Sequence, residues 1–97
     1  MKITICCVGK IKEKFYSQAI AEYSKRLSKY CKLEIKEAAD EKTPDSASDT
    51  VNRMIKEKEG DRLLSFIKDD SYVIALAIDG KMLDSVELSE KIDNLML

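Results

Sequence analysis

Two short segments of this sequence carry residue types suited to binding a charged or small ligand. The first, Gly9-Lys10-Ile11-Lys12, is basic and follows an apolar stretch. The second, Asp79-Gly80-Lys81, follows the most apolar stretch of the chain. The lysines of the first segment can meet phosphate, and Gly80 lets a small ligand approach the backbone closely. An ordinary strand-to-helix loop and a plain turn are the respective alternatives.

Several catalytic and cofactor chemistries lack their residues in this sequence. No histidine occurs, which excludes Ser-His-Asp catalysis, Cys-His catalysis and histidine metal sites within this chain. The dinucleotide pattern GxGxxG and the P-loop pattern GxxxxGK followed by Ser or Thr are also missing. The three cysteines show no CxxC spacing, so we expect no metal and unpaired thiols in a reducing cytoplasm.

Charge is distributed unevenly along the chain, although the net charge is only -1. Residues 1–36 carry nine Lys or Arg and three Asp or Glu, whereas residues 37–97 carry eight and fifteen. The net charge is therefore +6 for the first third and -7 for the remainder. The basic part can meet phosphate and the acidic part should not, with solvated helix faces as the alternative explanation.

Hydrophobic patterning predicts three strands that alternate with three helices. Residues 2–8 form a near-continuous apolar run, typical of a strand covered on both faces, and residues 32–38 alternate like a strand nearer an edge. Residues 71–78, apolar at seven of eight positions, predict an interior strand. Helices are predicted over 13–30, 49–67 and 85–96. This β-α-β-α-β-α order favours one α/β domain, residues 1–97, built on a parallel sheet.

Helix boundaries in the sequence carry recognisable caps. Ser46 or Ser48 is expected to cap the second helix, and Asp84 the third, with Glu87 completing a capping box. The chain ends on Leu95-Met96-Leu97, which is apolar and has no C-cap, so we expect the sequence to stop within a larger fold.

Helix faces are predicted from the spacing of apolar residues. The stripe of the first helix consists of Tyr16, Ile20, Tyr23, Leu27 and Tyr30. The third helix is expected to bury a stripe of Leu88, Ile92, Leu95 and Met96. In the second helix Glu57 and Glu59 lie two positions apart and do not share a face, which predicts plain surface charges.

Four short motifs occur in order along the chain. They are MKITIxxVGKIKEKx(F/Y) at the start, AIAEYSKRLSKY at 19–30, EKEG at 57–60 and IDGKML at 78–83. Together they resemble the ribosomal RNA large subunit methyltransferase H family of the SPOUT superfamily, whose members are trefoil-knotted. The resemblance covers essentially all 97 residues. It implies methyl transfer from S-adenosylmethionine to N3 of a pseudouridine in helix 69 of bacterial 23S rRNA.

The resemblance also implies which parts of the family fold this chain contains. It corresponds to the N-terminal portion of the α/β-knot fold, with the knotted segment and the catalytic tail absent, so we expect no catalytic residue here. Leu76 is the implied contact to the adenosyl group of the cofactor, with Asp79 and Gly80 lining the same pocket more weakly. We expect this chain to bind S-adenosylmethionine weakly or not at all.

The expected partners follow from the resemblance and from the charge. RNA contact is expected at Lys10, Lys12 and Lys14, with a smaller contribution from Lys25, Arg26 and Lys29. We expect a homo-oligomer, a cytoplasmic location and no membrane partner. The alternative is a non-enzymatic, truncated α/β domain that self-associates through an exposed sheet edge.

Overall fold

The computed structural model describes residues 1–96, which form a two-stranded sheet and three helices. The elements are β1 (Lys2–Val8), α1 (Lys14–Leu27), β2 (Lys32–Ala38), α2 (Asp49–Leu64) and α3 (Ser85–Leu95). The predicted α/β class is confirmed, and β1 and β2 have their predicted bounds. Each helix begins within one residue of its predicted start. None of these helices is long and apolar enough to cross a membrane.

β1 and β2 pair in parallel, and each residue of β1 lies beside the residue thirty positions later in the chain. The register runs from Lys2 beside Lys32 to Val8 beside Ala38. Such pairing requires a crossover connection, which α1 supplies. Side chains alternate between the two faces of a strand, so Cys6 and Cys7 lie on opposite sides of the sheet.

Side-chain caps fix the starts of α2 and α3. The Ser48 hydroxyl accepts a hydrogen bond from the Val51 N–H at 3.3 Å, so Ser48 rather than Ser46 is the cap. At α3, the Asp84 carboxylate accepts from the Glu87 N–H at 2.8 Å. The Glu87 carboxylate accepts from the Asp84 N–H at 3.3 Å. The predicted capping box is confirmed.

Residues 71–78 do not form the predicted interior strand, and that prediction was wrong. Residues 71–77 have no regular secondary structure, and every residue from 71 to 80 is exposed. A strand with two apolar faces is stable when other strands pair with its backbone and helices cover both faces. Within residues 1–96 the sheet contains β1 and β2 alone, so nothing pairs with this segment. The observed order is therefore β-α-β-α-α.

Most of the large hydrophobic residues in residues 1–96 are exposed rather than packed in a core. Within residues 1–96 Ala38 is the single fully buried hydrophobic residue, at 4% exposure. The accessible area is 8907 Å², whereas a compact protein of this mass exposes about 5600 Å². The radius of gyration is 15.9 Å, compared with about 12.5 Å for a compact domain of this length. The prediction that β1 is covered on both faces was therefore wrong, and Ile5 of this strand is exposed.

α3 stands apart from the other elements. No Cα atom of α3 lies within 8 Å of another helix or strand in residues 1–96. The prediction that α3 buries its apolar stripe was wrong, since Leu88, Leu95 and Met96 are exposed and Ile92 is half-buried. The apolar end predicted to lack a C-cap falls partly on Leu97, which lies outside the described residues.

Candidate nucleic-acid interface

The loop that follows β1 turns sharply at Gly9. The φ angle of Gly9 is +81°, in the left-handed region, where a side chain would be strained. Its N–H donates a hydrogen bond to the Ala38 carbonyl at 2.8 Å. A Cβ atom placed on Gly9 would lie 3.9 Å from the Asp40 Cβ. The loops after β1 and β2 are therefore neighbours at the carboxyl edge of the sheet, where open parallel sheets bind ligands.

Basic side chains surround the start of α1 at this edge. Lys10 and Lys12 are exposed and line an open depression of about 510 Å³. Its other lining residues are Ile11, Glu13, Tyr16 and Ile20. Lys14 is exposed in the first turn of α1, and that turn contains no acidic residue. Because the helix dipole is positive here, these lysines add to a positive potential that favours an anion.

Two exposed aromatic rings lie directly after these lysines. Phe15 and Tyr16 expose 74% and 57% of their surface, and their rings meet edge to face at 5.4 Å. The sequence pattern predicted that Tyr16 belongs to the core stripe of α1, but most of this residue faces solvent. Lysines bind phosphates, and accessible aromatic rings stack on unpaired bases. The two kinds of side chain together are typical of a surface that binds single-stranded nucleic acid.

A second basic group lies at the other end of α1. A depression of about 310 Å³ is lined there by Glu22, Lys25, Arg26, Lys29 and Tyr30. The Arg26 Nε donates to the Glu22 carboxylate at 3.1 Å, and the guanidinium lies 5.7 Å from the ring centre of Tyr23. Arg26 therefore already has partners within its own helix, which leaves Lys25 and Lys29 as the freer cations.

The three residues expected at the cofactor lie on the exposed segment that ends in the turn at Gly80. Leu76 is 94% exposed, and neither depression along α1 is lined by Leu76, Asp79 or Gly80. The Gly80 N–H donates to the Ala77 carbonyl at 3.0 Å and closes a turn. A Cβ atom on Gly80 would lie 3.1 Å from that oxygen, a close contact that a shift of a few tenths of an ångström would relieve.

A group of contacts that the sequence did not predict joins α2 to the loop after β2. The Arg62 Nη1 donates to the Ala39 carbonyl at 2.8 Å, and Nη2 donates to the Glu41 carboxylate. The Glu59 carboxylate accepts from the Glu41 N–H at 3.1 Å. Glu59 is thus not the plain surface charge that its spacing from Glu57 predicted. The available signal was the spacing of Glu59 and Arg62, which places both on one face of α2.

Lysines on the two strands surround Glu34. The Lys2 ammonium lies 3.0 Å from one carboxylate oxygen of Glu34, and the Lys36 ammonium lies 3.8 Å from the other. The hydrogen bond from Lys2 is the largest cause that lowers the pKa of Glu34 below its usual value. Attraction by Lys2, Lys36 and Lys32 adds to it, and partial desolvation opposes it. One acid of the basic first third is therefore held ionised by its neighbours.

Metal ligands are not gathered in the part of the chain that the structure describes. No group of three or more Cys, Asp or Glu side chains in residues 1–96 is placed to hold a metal ion. Cys6, Cys7 and Cys31 are unpaired thiols, each half-buried.

Comparison with known proteins covers the whole chain. Residues 1–97 match the family described as "Predicted SPOUT methyltransferase". The chain is 61% identical over 97 residues to ribosomal RNA large subunit methyltransferase H of Bifidobacterium adolescentis and 58% identical to that of Clostridium novyi. It is 61% identical to the protein of the same name in Clostridium botulinum. Each alignment covers 100% of this chain, which spans 61% of the length of these curated relatives.

Proposed function

Because the chain belongs to the SPOUT methyltransferase family, we propose that it is the amino-terminal part of a methyltransferase that acts on large-subunit ribosomal RNA. The observation that carries this proposal is identity of 58 to 61% over the whole chain to proteins named for that activity. Residues 1–96 contain one parallel strand pair and no knot. The family name implies a methyl donor of the S-adenosylmethionine type.

The finer form of the proposal concerns the substrate and its location. We expect the methylated atom to be N3 of a pseudouridine in helix 69 of 23S rRNA, as the sequence motifs imply. Bacterial ribosomes are cytoplasmic, and the unpaired thiols of this chain suit that reducing compartment. The part of this chain that we assign to the RNA is the carboxyl edge of the sheet, with Lys10, Lys12 and Lys14.

Binding of the cofactor is expected to be weak in the 97-residue chain. Leu76, Asp79 and Gly80 supply at most one wall of an adenosyl site, because they lie on an exposed segment that no other element covers. We expect calorimetric titration with S-adenosylmethionine to detect little or no heat of binding. Tight, saturable binding by this chain would contradict the assignment of an incomplete site.

The RNA contact is tested by charge reversal in this chain. We expect Lys10→Glu with Lys12→Glu to weaken binding of a synthetic helix 69 hairpin by about tenfold or more, measured by fluorescence anisotropy. The dependence of log affinity on log salt should also become less steep, by about 0.7 to 0.9 for each phosphate that the variant no longer binds. The matched control is Lys56→Glu with Lys58→Glu, an equal change of charge at two exposed positions of α2.

Two results would contradict this interface. One is an equal loss of affinity in the α2 control, which would show that net charge alone matters. The other is an unchanged salt dependence in the loop variant, which would show that Lys10 and Lys12 merely solvate the surface.

A second candidate function rests on the exposed area of the molecule. The surface exceeds that of a compact protein of this mass by about 3300 Å², and residues 71–78 are apolar and exposed. These features favour a non-enzymatic α/β domain that associates with further copies of itself. In such an assembly, residues 71–78 would be covered by a neighbouring copy.

A further inference from the structure

The loop after β2 is held at three of its atoms by two side chains of α2. Arg62 holds the Ala39 carbonyl and the Glu41 carboxylate, while Glu59 holds the Glu41 N–H. Arg62 is only 39% exposed and Glu41 only 28%, so both side chains are partly withdrawn from water. We call Glu41, Glu59 and Arg62 the loop clamp. It spans 18 to 23 residues of sequence and ties the loop to a helix.

The loop clamp is adjacent to the lysine-bearing loop after β1. The Gly9 N–H is bonded to the Ala38 carbonyl, the residue immediately before Ala39. The backbones of the two loops therefore meet at one edge, and displacement of the second loop removes support from the first. Glu41 also places a carboxylate in the loop next to the one that carries Lys10 and Lys12.

We propose that Arg62 is a positioning residue for RNA binding, acting through the loop clamp rather than by touching the RNA. It fixes the loop after β2 beside the lysine loop, and it cancels the Glu41 charge that would otherwise repel phosphate at this edge. Arginine suits this task because its planar guanidinium donates to two acceptors at once. This inference rests on the proposed function for its RNA-binding part, and the clamp itself rests on contacts within the chain.

The clamp is tested without RNA by amide hydrogen exchange. The Glu41 N–H should exchange faster in Glu59→Gln, because the neutral amide replaces the carboxylate that accepts its hydrogen bond. Arg62→Met should have the same effect by releasing the Glu41 side chain. The matched control is Glu57→Gln, because the Glu57 carboxylate is exposed and is not part of the loop clamp. Glu41 exchange equal in all these variants would overturn the clamp.

The role in RNA binding is tested by affinity and salt dependence with the same hairpin RNA. Arg62→Met should lower the affinity by roughly threefold, the size expected for one exposed charge interaction. Its salt dependence should become only slightly less steep, because every lysine that binds phosphate is still in place and the uncancelled Glu41 charge adds one weak repulsion that salt screens. Arg62→Lys should recover part of the affinity, because its ammonium keeps a cation beside Glu41 but does not reproduce the two-acceptor geometry of the guanidinium. Arg53→Met, which removes an exposed arginine of the same helix, should have little effect.

The outcomes separate this inference from the proposed function. An Arg62→Met affinity equal to that of Arg53→Met would overturn the positioning role, and so would failure of Arg62→Lys to recover binding. A salt dependence as shallow as that of the Lys10 and Lys12 variant would show that Arg62 itself contacts phosphate, which also overturns it. If the unsubstituted chain does not bind RNA, both the proposed interface and the positioning role are overturned. The loop clamp is still tested in that case by hydrogen exchange of the Glu41 N–H.

Discussion

Among residues 1–96, Glu34 is the residue whose acid–base behaviour the fold changes most clearly. Its carboxylate accepts a hydrogen bond from Lys2 across the strand pair, which lowers its pKa. We expect Lys2→Met to raise the pKa of Glu34 toward its ordinary value, measured by NMR titration of the side-chain carboxyl carbons. The matched control is Lys91→Met on α3, which should leave the pKa of Glu34 unchanged because Lys91 is not among the lysines acting on it.

The sign of the effect on stability follows from this pKa. Glu34 binds its proton less readily in the folded chain, so the ionised pair stabilises the fold above the unfolded pKa of about 4.3. The stabilisation is lost as the pH falls from there through the lower pKa of the folded state. Lys2→Met should therefore reduce the midpoint of urea unfolding at pH 7 and leave it unchanged at pH 2. An equal reduction at both pH values would contradict an electrostatic cause.

At the scale of secondary-structure elements, α3 depends on its capping box because it packs on no other helix or strand of residues 1–96. We expect Asp84→Ala to cost about 1 kcal/mol of local helix stability. The loss should appear as reduced helical Cα chemical shifts over Ser85–Leu95, with the shifts of β1 and β2 unchanged. Glu90→Ala, an exposed substitution in the same helix that removes no cap, is the control. Full helicity of α3 in Asp84→Ala would show that other contacts hold it.

The sequence predicts correctly those secondary-structure elements whose formation depends on residues nearby in the chain. β1 and β2 follow from runs of apolar residues and alternation, and the starts of α2 and α3 follow from Ser48 and Asp84. Residues 71–78 have an equally clear strand pattern, but a strand buried on both faces depends on neighbours, and the pattern carries no information about whether those neighbours are present. The pattern therefore predicts that residues 71–78 can form a strand when other elements cover them, and it does not predict their conformation in this chain.

The candidate site divides in the same way. The lysine loop is predictable, because its charge and its place after a strand are local features of the sequence. The loop clamp is not, because Arg62 and Glu41 are 21 residues apart and their contact depends on how α2 lies beside β2. Helical spacing places Glu59 and Arg62 on one face of α2, but it does not identify what that face contacts.

At the scale of the whole molecule, the exposed area predicts association between copies. A standard interface buries about 800 Å² per partner, and the surface here exceeds that of a compact protein by about 3300 Å². We expect light scattering to give a mass that rises above 11.0 kDa as the concentration increases. Leu76→Lys with Ile78→Lys should reduce this rise, because both side chains are exposed and apolar.

The control for association is Asp70→Lys with Ser71→Lys, which adds positive charge beside the apolar segment without removing an apolar side chain. It should associate more than the Leu76 and Ile78 variant. A mass of one chain at every concentration, together with a radius of gyration near the 12.5 Å or so of a compact domain, would show that the chain has repacked into a self-sufficient unit.

The constant thirty-residue separation between paired residues of β1 and β2 has a consequence for the order of folding. No hydrogen bond of the sheet can form until a loop of that length closes, and the entropy lost on closure grows with loop length. α1 lies inside the loop and shortens it, because 14 helical residues span about 21 Å instead of the 46 Å or more of an extended chain. Helices form in about a microsecond or less, faster than most domains fold. Substitutions that weaken α1 should therefore slow the pairing of the strands, although α1 lies outside the sheet.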